Sequence, residues 1–150
     1  MLGQLIAETD ALTIVDMEAS VEHMGRGTVR YADILLVLAE PYYRSLETVG
    51  RMAPLAQDLG IGRVALVANK VRTPRDEEAI RRYCAERDLA VIAVLPFDDV
   101  VLEADQAGIP ILDRAADAPS VQVVAELQQR IESAAASVPA LDRGDSTAVG

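Results

Sequence analysis

Four short runs of this chain are apolar along nearly their whole length, at residues 11–15, 32–39, 64–68 and 89–95. The second reads A-D-I-L-L-V-L-A and the fourth L-A-V-I-A-V-L. A strand with one wet face alternates apolar and polar residues. A run without alternation is a strand covered on both faces, as in a parallel sheet flanked by helices. The segments between the runs carry helical spacing. Residues 45–59 place Leu46, Val49, Ala53 and Ala56 on one face, with Met52, Leu55 and Leu59 beside it. Thr73-Pro74-Arg75-Asp76 combines a hydroxyl N-cap, a proline in the first turn and an acid near the N-terminus, a strong helix start. That helix carries Ile80, Tyr83 and Cys84 at i, i+3 and i+4. A short helix is expected over residues 98–106, ended by Gly108. Pro119 opens a last helix with Val121, Val124, Leu127 and Ile131 inward. Residues 2–8 read as the end of a helix. Residues 137–150 are small, polar and proline-containing, which predicts a disordered tail. The expectation is one α/β domain over residues 1–136, a three-layer parallel sheet with helices on both faces.

Charge narrows the partners. A net charge of −10 opposes binding to nucleic acid, which needs a basic face to neutralise phosphates. It also opposes an anionic membrane surface. No apolar run approaches the roughly 20 residues of a membrane span, and the first residues lack the basic start of a signal peptide. The expected location is the cytoplasm. The single cysteine, Cys84, excludes an internal disulfide and a cysteine metal cage. It lies on an apolar helical face and reads as core.

In sheets of this kind ligands sit at the carboxyl ends of the strands. Asp16, Glu40, Asn69 and Pro96-Phe97 all fall there. Asp16 ends an apolar run and opens a polar, glycine-containing loop reaching Thr28. Its carboxylate is placed either to hold Mg²⁺ through water or to cap a turn. The amide of Asn69, followed by Lys70, the only lysine, matches a purine edge or simply ends a strand. Pro96 and Phe97 line a base pocket or form a strand-to-helix turn. Asp98-Asp99 caps a helix beside that position. His23, the only histidine, has no serine or cysteine nucleophile pattern with it and reads as structural. Arg26, between Gly25 and Gly27, suits a phosphate, a carboxylate or loop stabilisation. No glycine run precedes Lys70, so the chain shows no phosphate loop of the Gly-Lys type.

The runs V-D-M-E-A-S-V-E-H-M-G-R-G-T (15–28), A-D-I-L-L-V (32–37), V-A-N-K-V-R (67–72) and L-P-F (95–97), with Glu40-Pro41 and Ser45-Leu46-Glu47-Thr48, together resemble the ParA/MinD/nitrogenase-iron-protein class of P-loop ATPases. Within it they look most like the CooC-type nickel-insertion ATPases of carbon-monoxide-dehydrogenase maturation. The likeness covers residues 2–131. It implies a P-loop NTPase-like (SIMIBI class) fold and ATP or ADP with Mg²⁺ as ligand. Asp16 would be the catalytic, Mg²⁺-side aspartate of a switch loop. Asn69 would read adenine, with Lys70, Pro96 and Phe97 completing the nucleotide site. Ser20 stands where the family usually has a glycine whose amide senses the γ-phosphate.

The resemblance also implies what these residues do not include: the family's first strand, its lysine-bearing phosphate loop and an upstream Cys-x-Cys metal pair. In this class the phosphate-loop strand lies between the strand before Asp16 and the strand at 32–39. The expected partner is a second copy or a chain carrying that loop, with a metalloenzyme as possible client. The chain alone is expected to bind nucleotide weakly, to lack hydrolysis, and to be marginally stable or oligomeric because an open apolar edge invites association. The alternative is a non-catalytic interaction subunit or remnant that pairs with a full-length relative. A receiver-like module is a third reading, matched only by Asp16 and Lys70.

Overall fold

The computed structural model describes residues 13–17 and 32–136. Three parallel strands form its sheet: β1 (Leu35–Ala39), β2 (Val64–Val71) and β3 (Ala90–Pro96), in the order β1-β2-β3. Helix α1 (Tyr43–Asp58) joins β1 to β2, and α2 (Pro74–Ala85) joins β2 to β3. After β3 come α3 (Asp99–Ala107), the short α4 (Ile111–Ala115) and α5 (Pro119–Ala136). This is the α/β parallel sheet that the apolar runs predict.

The core lies in two layers. On one face α1 and α2 contribute Val49, Met52, Ala56, Ile80 and Cys84 against Val37, Ala39, Leu66, Ala68 and Val71 of the sheet. Ile80 and Cys84 are fully buried, and a buried isoleucine stabilises by about 1.5–3 kcal/mol. On the other face Leu127 of α5 packs on Val67 and Ala93, with Ile92, Leu95, Val123 and Ile131 around them. Ile92 and Ala93 join the same cluster although adjacent in sequence. The register explains this: Leu66 pairs with Val91 but Val67 with Ala93, so Ile92 is an extra residue in β3.

Local chemistry sets the helix ends. The Thr73 side chain accepts from the Asp76 N–H, and the Asp76 carboxylate accepts from the Thr73 N–H, a reciprocal cap. Gly108 closes α3 at φ +64°, a left-handed conformation that costs a side-chain-bearing residue roughly 1–2 kcal/mol.

Several expectations are corrected. The run at 11–15 is not a buried strand over its described part: residues 13–15 form no ladder among the described residues, Ile14 is 83% exposed, and residues 11–12 lie outside the described residues. A strand exists only with a hydrogen-bonding neighbour, and β1 pairs only with β2 among the described residues. The strand expected at 32–39 is confined to Leu35–Ala39, and Leu38 is 59% exposed, because α5 covers β3 and Val67 but not β1. Helix α1 starts two residues before Ser45, whose hydroxyl instead accepts from the Glu40 N–H at 2.9 Å. Strand β2 runs on through Asn69 and Lys70 to Val71. In α5 Val124 is exposed and Val123 packs inward, since contact with β3 fixes the rotation of the helix. Ser20, His23, Arg26, the helix end at 2–8 and the tail 137–150 lie outside the described residues.

Candidate functional site

The carboxyl edge of the sheet gathers Glu40 after β1, Asn69 and Lys70 within β2, and Pro96 and Phe97 at the end of β3. Here β2 carries an extra residue: Ala68 pairs with Val94, but the next pairing is Val71 with Pro96. Lys70 takes up the irregularity with φ +55°. The bulge turns two consecutive residues out of the ladder at the edge where ligands bind in such sheets.

Each side chain on the bulge has a defined state. The Asn69 carbonyl oxygen accepts from the Lys70 N–H at 3.0 Å. Its Nδ2 donors have no partner among the described residues, so they are free for an acceptor on a ligand. The Lys70 ammonium meets the Glu40 carboxylate at 2.6 Å, tying the ends of β1 and β2 together. Both partners are substantially exposed, which limits the pair to less than about 1 kcal/mol.

The end of β3 is pinned more firmly. The Phe97 N–H donates to the Val71 carbonyl at 2.9 Å. The Arg72 guanidinium lies over the Phe97 ring, 3.4 Å from its centroid. Asp98 caps α3 by accepting from the Val100 N–H at 3.1 Å. Its second oxygen accepts from the hydroxyl of buried Ser120 at 2.9 Å and from the Ser120 N–H at 3.4 Å. One carboxylate thus ties the β3 end to the starts of α3 and α5.

Asp16 is exposed and has no hydrogen-bond partner among the described residues. Its neighbour Met17 packs against the core of the α1/α2 face. No group of three or more His, Cys, Asp or Glu side chains is placed to hold a metal among the described residues. Mg²⁺ characteristically keeps its waters and uses one or two carboxylates with substrate phosphates, a demand that a single exposed carboxylate can meet. Cys84 is a poor metal ligand: it is fully buried, and burial raises its thiol above the usual range against the opposing pull of Arg87 and Arg81. A depression of about 290 Å³ lined by Glu47, Gly50, Arg51, Tyr83 and Arg87 opens between α1 and the C-terminal end of α2.

Of the residues expected at the carboxyl edge, Glu40, Asn69, Lys70, Pro96 and Phe97 meet there, whereas Asp16 follows no strand among the described residues. Arg72 has no role in that expectation. The available signal was the position of a planar cation just beyond one strand end and of the only phenylalanine at the next.

Comparison with solved structures assigns this fold to the ParA/MinD class of P-loop NTPases. A ParA family ATPase from Chlorobium tepidum superposes with a TM-score of 0.61 at 20% identity, over 75% of this chain and 47% of that one. MinD from Pyrococcus horikoshii, solved with Mg-ADP, superposes with a TM-score of 0.55 at 20% identity, over 71% of this chain and 45% of that one. Within the class the chain is a CooC-like member. It is 37% identical over 113 residues to the carbon monoxide dehydrogenase accessory protein CooC of Rhodospirillum rubrum, across 75% of this chain and 42% of the relative. It is 39% identical over 112 residues to an uncharacterized ATP-binding protein of Methanocaldococcus jannaschii, across 74% of this chain and 43% of the relative. The chain therefore spans about two fifths of the length of these relatives. No family model matches it. No helix among the described residues is long and apolar enough to cross a membrane.

Proposed function

We propose that this chain supplies the base-recognising part of a nucleotide site in a CooC-like ATPase. The observation that carries the reading is the β2 bulge, which turns out Asn69, its Nδ2 without a partner among the described residues, near the Phe97 end of β3. Asn69 reads the adenine edge, Lys70 stands next to it, and Pro96 and Phe97 flank the base. Asp16 contributes a carboxylate to water-bound Mg²⁺ on the phosphate side. Hydrolysis in this chemistry depends on phosphate-loop amides, a lysine and the metal. The chain alone accordingly binds ATP or ADP without turning it over. The working assembly is a dimer or a heteromer with a phosphate-loop-bearing chain, and its role is metallocentre assembly, nickel insertion in particular.

Calorimetric titration of the full chain with Mg-ATP and ADP tests the reading. Asn69→Ala is expected to weaken binding about tenfold, the loss of a hydrogen bond worth roughly 1–1.5 kcal/mol. No binding to the folded chain at millimolar nucleotide, or an unchanged Asn69→Ala, would count against it. A second reading is a non-catalytic interaction subunit. It is favoured by the exposed Leu38 in β1, whose outer edge is unpaired among the described residues. Self-association or pairing with a full-length relative, without nucleotide binding, would distinguish it.

A further inference from the structure

We propose that the purine lies on the guanidinium plane of Arg72 rather than on the ring of Phe97, and that Phe97 is the positioning residue that holds that plane. The inference rests on the nucleotide reading above and refines it: Phe97 flanks the base through the Arg72 guanidinium and not by direct contact. At 3.4 Å from the ring centroid, the Arg72 guanidinium covers one face of Phe97. A base cannot take that face without displacing it, but the outer face of the guanidinium is left for a ligand. Arg72 is exposed and makes no ion pair among the described residues. Its plane is therefore not committed to a carboxylate.

Both ends of the stack are fixed by backbone. The Arg72 N–H donates to the Asp76 carboxylate at 3.1 Å, within the cap of α2. The Phe97 N–H donates to Val71, the residue before Arg72, at 2.9 Å. The two side chains thus spring from neighbouring strand ends that are hydrogen-bonded to each other. Asn69 lies three positions before Arg72 on the same edge. An amide that meets the edge of a base and a cationic plane that meets its face are complementary functions. Guanidinium suits the second: it is planar, weakly hydrated and stacks on π systems. Lysine keeps the charge and loses the plane.

The test is calorimetric titration of the full chain with Mg-ATP and, separately, with adenosine, which has no phosphate. Arg72→Lys is expected to weaken both by the same factor, about tenfold, as for loss of a base-stacking surface. Phe97→Leu should weaken both in the same direction, and the double variant should bind no more weakly than Arg72→Lys. An Arg72→Lys chain that binds ATP within about twofold of the parent overturns the proposal. So does a loss for ATP with none for adenosine, which would move Arg72 to the phosphates. If Asn69→Ala weakens ATP binding while Arg72→Lys does not, the nucleotide reading stands and the role of Arg72 falls. If the parent chain binds neither ligand, both fall together.

Discussion

The Asp98 carboxylate offers the sharpest test of how the carboxyl edge is built. It caps α3 through the Val100 N–H and satisfies both the hydroxyl and the N–H of Ser120, which is 8% exposed. Asp98→Ala removes the cap, worth about 0.5–2 kcal/mol. It also removes a charge-assisted bond worth about 1.5–3 kcal/mol and leaves the buried Ser120 donors without their acceptor. Together these predict a loss of about 3 kcal/mol, with some overlap between the two terms. Urea unfolding followed by circular dichroism reads it directly. For a slope near 2 kcal/mol/M the midpoint should fall by about 1.5 M. Asp98→Asn keeps one carbonyl oxygen and should lose about half as much. Asp99→Ala, at an exposed neighbour, should stay within about 0.5 kcal/mol of the parent. An Asp98→Ala midpoint indistinguishable from that of Asp99→Ala would refute the claim that this carboxylate joins β3 to α3 and α5.

Two further outcomes follow from the α1/α2 layer. Burial raises the Cys84 thiol, so the folded state holds the proton more tightly than the unfolded one. The thiol thus adds no pH dependence while it is protonated in both states, and folding weakens as pH rises through the ordinary thiol range. A thiol reagent at pH 8 should label Cys84 only in denaturant, and rapid labelling of the folded chain would contradict its burial. A Cβ at Gly50 would overlap the Tyr83 hydroxyl, the tip of a half-buried side chain stacked under Arg87 at 3.7 Å. Gly50→Ala gains about 1 kcal/mol of helix propensity but must displace that tip, so its net effect on thermal unfolding should lie near zero. In a Tyr83→Ala background the same change should stabilise by about 0.5–1 kcal/mol. Equal effects in both backgrounds would show that Tyr83 is not the obstacle.

Local chemistry made much of this fold legible in the sequence. Thr73-Pro74 with Asp76 starts α2, Gly108 ends α3, and the runs around residues 64–68 and 89–95 become the strands that burial requires. The carboxyl-edge placement of Asn69, Lys70, Pro96 and Phe97 also follows from the order of those runs. These features depend on hydrogen bonds and side-chain preferences within a few residues, so they can be read without knowing what lies across the sheet. Other features depend on a neighbour the sequence does not name. Residues 13–15 are apolar enough for a strand, but a strand needs a partner ladder and they have none in this sheet. Val123 and Val124 are identical in chemistry, and only the seating of α5 on β3 decides which is buried. Arg72 reads as one more surface cation until the pairing of β2 with β3 lays it on Phe97. The sequence by itself determined the helices and the three runs that pair into the sheet, and which of their residues reach the carboxyl edge. Only the tertiary structure decided which faces are covered and which side chains meet, because both are properties of pairs of elements distant along the chain.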